Sequence, residues 1–133
     1  MVFLAILAGP ATSQIAFETK AKFAILVDAE SGATLFEKNA DELMAPASMS
    51  KLMTMILVFE ALQRKDLALT DEFLVSENAW RTGGASSGSS TMYADLNSSV
   101  PLEDLIRGVI IQSGNDASIA LAEGMFGTEA AFA

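Results

Sequence analysis

Apolar and polar positions fall into distinct patterns along the chain. The first is the run Val2–Ala8, which is far short of the roughly 20 apolar residues a membrane helix needs. With the small residues Ala11 and Ser13 behind it, this run predicts a signal peptide over residues 1–13, cleaved near Ser13-Gln14 and, since no Lys or Arg precedes it, a truncated one; the plainer reading is an apolar N-terminal strand of the fold. From Lys22 to Lys38 the pattern is strand, turn, strand: Phe23-Ala24-Ile25-Leu26-Val27, then Glu30-Ser31-Gly32, then Thr34-Leu35-Phe36, a β-hairpin. Its first strand is apolar on both faces, so helices are expected to cover one side and other protein the other. Leu52 to Leu62 is apolar around nearly its whole circumference and ends in Gln63-Arg64-Lys65-Asp66, which predicts the central buried helix of a domain. Phe73-Leu74-Val75 reads as a short strand and Gly83–Ser90 as a flexible loop bordering a site. Pro101 then opens a helix whose stripe is Leu102, Leu105, Ile106, Val109 and Ile110. It stops near Ser113-Gly114-Asn115, and a last helix runs from about Asp116, with Gly124 just past its end. This order predicts a layered α/β or α+β domain.

Composition narrows the chemistry. At 133 residues and 51% hydrophobic, the chain is long enough for one domain with a core. Its formal charge of -9, from eight Lys plus Arg against seventeen Asp plus Glu, argues against a nucleic-acid partner. There is no Cys and no His, which removes cysteine nucleophiles, thiolate zinc sites and the Ser-His-Asp triad. Nucleophilic catalysis is left to Ser or Thr with a Lys or carboxylate base.

Ser48-Met49-Ser50-Lys51 supplies such a pair, because positions i and i+3 share a face on the first turn of a helix. The amine must be neutral to take the hydroxyl proton, and Met49, Leu52 and Met53 predict a dry setting for it. The plainer reading is that Ser48 caps the helix. Ser113-Gly114-Asn115 could aim a hydroxyl and an amide into a cleft, or could simply be the turn between two helices. Ser76-Glu77-Asn78 has the same spacing; the later triplet is preferred because helices on both sides would hold it rigidly.

Pro46–Thr54 and Ile110–Ala117 together resemble the serine D-alanyl-D-alanine carboxypeptidases, the low-molecular-mass penicillin-binding proteins of peptidase S11 type. The stretch Ala21–Glu37, the Trp80 region and Leu121-Ala122-Glu123 with Gly127 are also similar to that family. The resemblance implies the serine β-lactamase and penicillin-binding-protein transpeptidase-like fold, with residues 21–133 as the N-terminal part of the catalytic domain. It implies a peptidoglycan stem peptide as substrate, with Ser48 the nucleophile, Lys51 its base, Ser113 a proton relay and Asn115 a substrate-binding residue. The backbone N–H of Ser48 would form half of the oxyanion hole. β-Lactam antibiotics would acylate the same serine, no metal or organic cofactor is implied, and the protein would be exported to the periplasm or the outer face of the cytoplasmic membrane. The membrane tether usual at the family's C-terminus is not expected within these residues. The family's third motif, Lys-Thr-Gly or Lys-Ser-Gly on a later strand, occurs nowhere in it either, and Ser86–Ser90 is richer in Ser and Gly than the family leads one to expect. A truncated catalytic domain of weak or no activity is therefore expected. The competing readings are a serine β-lactamase, which would turn penicillin over quickly, and a non-catalytic cell-wall-binding fragment.

Overall fold

The computed structural model describes residues 17–133, which divide into two compact units on either side of Ala45 and Pro46. The stretch read as a signal peptide lies outside the described residues. Among the described residues no helix is long and apolar enough to cross a membrane.

The first unit is built on the hairpin. Strand β1 (Ala24–Val27) pairs antiparallel with β2 (Thr34–Lys38), and the register shifts between Leu26 and Val27. The turn closes on Asp28, whose Oδ1 accepts from the backbone N–H of Ser31 at 2.8 Å and from its hydroxyl at 2.5 Å. Gly32 supplies the left-handed residue, at φ 71°. The Phe17 ring meets Phe36 edge-on, 5.2 Å between centroids. The cover predicted for both faces of β1 is not found: Ile25, Leu26 and Val27 are all exposed. Among the described residues the sheet of this unit has two strands, and a two-stranded sheet alone cannot bury its own faces.

The second unit carries the helices. A single 3₁₀ turn, Ala47–Met49, runs directly into α1 (Ser50–Arg64). Lys65, left-handed at φ 64°, ends α1 by donating its N–H to the carbonyls of Ala61 and Leu62. Strands β3 (Glu72–Leu74) and β4 (Ser99–Pro101) form a short antiparallel pair, with Phe73 opposite Val100. Helix α2 (Leu102–Gln112) buries Leu102, Leu105, Ile106 and Val109 of the expected stripe, whereas Ile110, also assigned to it, is exposed because it falls beyond the face that meets the core. These pack with Met55 and Val58 of α1, with Phe73 and Val75, and with Ala117, Ala120 and Leu121 of α3 (Asn115–Phe126). A four-residue helix, α4 (Glu129–Phe132), follows, capped by the Thr128 hydroxyl.

Three expectations are corrected here. Helix α1 is not buried all round: it hides Thr54, Met55, Val58 and Ala61, while Leu52, Met53, Ile56 and Phe59 are exposed, because its packing partners lie on one face only. Gly83–Ser90 is not a plain loop. Residues Ala79–Gly83 form one π-helical turn and Ala85–Ser87 one 3₁₀ turn, with Gly83 and Gly84 buried. Helix α3 does not stop at Gly124; it runs on to Phe126, and Gly127 at φ 85° ends it. A side chain at Gly124 would overlap the ring of Phe73, so that glycine serves close packing.

Candidate active site

Ser48 owes its position to the residue before it. Ala47 sits at φ 48°, a left-handed conformation costing a residue with a Cβ about 1–2 kcal/mol, and it swings the chain into the 3₁₀ turn. Lys51 is the second residue of α1, three positions on, and its Nζ donates to Ser48 Oγ at 3.4 Å. That is the long end of hydrogen-bond distance. The neighbouring Ser50 hydroxyl is committed locally, donating to the Ala47 carbonyl at 2.8 Å. The dry setting predicted for the amine is not formed, since Met49, Leu52 and Met53 are 56%, 68% and 55% exposed.

The second polar group lies where α2 gives way to α3. Ser113 caps α2 in the left-handed region at φ 54°, and the Gly114 N–H reaches back to the Gly108 carbonyl at 3.0 Å. Asn115 is the first residue of α3, its backbone N–H held by the Ser90 carbonyl at 2.8 Å. A cavity of about 520 Å³ opens between α1, α3 and α4, lined by Lys51, Thr54, Leu57, Asn115, Ser118, Ile119, Glu129 and Phe132 among others. Lys51 thus meets Ser48 on one side and shares a cavity with Asn115 on the other. Ser48 and Ser113 are not among the lining residues. The other Ser-x-Asn triplet is engaged elsewhere: Ser76 Oγ donates to Glu123 at 2.5 Å, and Asn78 Nδ2 donates to Glu123 at 2.9 Å and to Glu129 at 2.8 Å.

Two features escaped the sequence reading. Asp116, treated there only as the start of a helix, is completely buried and accepts bonds from Thr91, Met92 and Ala94. Glu129 and Phe132 wall the cavity from α4, whose one sequence signal is the capping pattern of Thr128 before Glu129.

This mixed helix and sheet arrangement has the transpeptidase-like fold of penicillin-binding carboxypeptidases. The structure is similar to penicillin binding protein 5 from Haemophilus influenzae, with a TM-score of 0.72 and 42% identity, covering 84% of this chain and 32% of that one. The D-alanyl-D-alanine carboxypeptidase DacD from Francisella tularensis gives a TM-score of 0.73 at 36% identity, covering 98% of this chain and 30% of that one. Within that class the chain belongs to the D-alanyl-D-alanine carboxypeptidase family, peptidase S11, whose model matches residues 10–133. It is 40% identical to the carboxypeptidase DacF of Bacillus subtilis over 93% of its length, and 48% identical to DacC of Escherichia coli over 81%. The chain spans 30% and 27% of those two relatives.

Proposed function

We propose that this chain carries the nucleophile and base of a serine D-alanyl-D-alanine carboxypeptidase. Ser48 Oγ attacks the carbonyl carbon of the D-Ala-D-Ala amide at the end of a peptidoglycan stem peptide, and Lys51 takes the hydroxyl proton. Ser113 relays a proton to the leaving amine of the terminal D-Ala, and Asn115 holds the acyl part of the peptide. Water then hydrolyses the ester and frees Ser48. The helix N-terminus just beyond Ser48 favours negative charge developing there. β-Lactams acylate the same oxygen, and the site works outside the cytoplasm, where peptidoglycan lies. Residues 21–133 would be part of the catalytic domain that contains it, and residues 1–13 its export signal.

The observation that carries this reading is the Lys51 Nζ to Ser48 Oγ contact at 3.4 Å, in a chain with no His or Cys to offer another nucleophile–base pair. Family membership supports the choice of substrate. Intact-mass analysis after incubation with a penicillin tests it: one drug-sized adduct is expected, mapped to Ser48 and absent from Ser48→Ala. Rapid appearance of hydrolysed penicillin without a lasting adduct points to a β-lactamase. No adduct and no turnover would return Ser48 to the role of helix cap.

A further inference from the structure

Among the described residues Asp116 is the one charged side chain with no exposure at all, and the acyl-transfer scheme gives it nothing to do. An acid in the first turn of a helix ordinarily faces solvent and complements the dipole. This one turns its oxygens onto a segment more than twenty residues earlier in the chain. Oδ2 accepts from the Thr91 hydroxyl at 2.6 Å and the Ala94 N–H at 3.1 Å, while Oδ1 accepts from the Met92 N–H at 2.9 Å and from Ala117 N–H at 2.9 Å. Between the clasped residues Tyr93 is bent into the left-handed region at φ 64°, its N–H on Thr91 Oγ1 at 3.0 Å. A non-glycine residue stays in that region only when its surroundings over-determine it.

The same segment reaches the site. Asn115 donates its backbone N–H to the carbonyl of Ser90, the residue just before Thr91. Gly83 also packs against Asn115 and Asp116 so closely that a Cβ there would overlap their backbone. The remaining ties of the 113–115 turn, Gly114 to Gly108 and Ser118 to Gly114, stay within the two helices that the turn joins. Among the described residues, the Asp116 clasp, the Asn115–Ser90 bond and the Gly83 contact are what fix that turn from outside.

Resting on the acyl-transfer reading above, we propose that Asp116 is a positioning residue: by clamping residues 91–94 to the start of α3, it aims Asn115 into the cavity it shares with Lys51. A carboxylate suits the task because all four of its partners are donors. An amide in its place turns two donor hydrogens toward them, and one backbone N–H faces another donor.

The test uses Asp116→Asn, Asn115→Ala and the double variant of this chain, following the rate of penicillin adduct formation by intact mass. Asp116→Asn is expected to slow acylation about 10- to 100-fold, the cost of misplacing a site group by about 1 Å. The double variant is expected to be no slower than Asn115→Ala, since Asp116 acts through that residue. Wild-type rates for Asp116→Asn, or full additivity in the double variant, would overturn the proposal and leave Asp116 a general fold stabiliser. If the wild-type chain forms no adduct, the acyl-transfer reading fails for this chain and amide hydrogen exchange decides about Asp116. Faster exchange at Met92, Ala94 and Asn115 in Asp116→Asn, with Ile119–Ala122 unchanged, upholds the clamp; wild-type protection at Asn115 sinks it. Should Asp116→Asn not fold, Thr91→Val removes one bond, with about 3-fold slower acylation or faster Asn115 exchange expected and no change counting against the proposal.

Discussion

Replacing Gly124 by Ala tests how α3 packs on the strand pair. On helix propensity alone the change should stabilise by about 1 kcal/mol, because Gly124 lies inside α3 and Ala is the better helix former. The structure predicts the opposite sign. The new Cβ would overlap Cδ1 and Cε1 of Phe73 and come within 3.2 Å of Cγ, so spinning the ring about its axis cannot clear it. The whole ring must move, and it is 6% exposed in a core shared with α1 and α2. Overpacking of this kind costs up to about 3 kcal/mol, leaving a net loss of about 2 kcal/mol. With a urea m-value of about 2 kcal/mol/M, the unfolding midpoint should fall by about 1 M at unchanged m. Phe73→Leu, which shortens and frees the side chain, should recover at least about 1 kcal/mol of that loss in the double variant. A Gly124→Ala chain as stable as wild type would refute the packing. A loss that Phe73→Leu leaves untouched would mean that the Phe73 ring is not what the new Cβ meets.

Two more predictions concern backbone geometry and pH. Ala47→Gly relieves the left-handed strain before Ser48 but adds unfolded-state entropy, so a net gain of about 0.5 kcal/mol is expected by urea unfolding; a loss would mean that the residue is not held at positive φ. The Ser31 hydroxyl, and after it the Ser31 N–H, hold the Asp28 carboxyl below its ordinary value of 3.8. A depressed carboxyl contributes its stability above the unfolded value and loses it as pH falls through the folded one. The hairpin turn should therefore loosen only below pH 3.8, and an NMR midpoint for Asp28 at or above that value would contradict the bonding seen.

What could be read from the sequence was whatever depends on near neighbours. The hairpin, the stripe of α2 from Leu102 to Val109 and the i, i+3 meeting of Ser48 with Lys51 are local, and each is present. The burial of α1 could not be read, because an apolar circumference states what a helix can hide and not what is there to hide it. Gly83 and Gly84 looked like loop residues by composition, whereas Gly83 is small so that one backbone can lie against another at Asn115–Asp116. Asp116 was invisible for the same reason: its partners Thr91, Met92 and Ala94 belong to a segment with no periodic tie to it. The shared cavity of Lys51 and Asn115 likewise exists only once α3 is laid beside α1.

The bonds from Asn78 to Glu123 and Glu129 bear on how the protein ages. Asparagine is among the thermolabile residues, and its deamidation replaces an amide donor with a carboxylate. At Asn78 that single event would set a third negative charge against two glutamates it now joins. Helix α4 buries no residue of its own, yet its Glu129 and Phe132 line the same cavity as Lys51. Slow chemistry at a surface amide would thus unfasten part of the cavity wall while leaving Ser48 and Lys51 untouched, so a stored sample would change the shape of that cavity before any change at the Ser48–Lys51 contact.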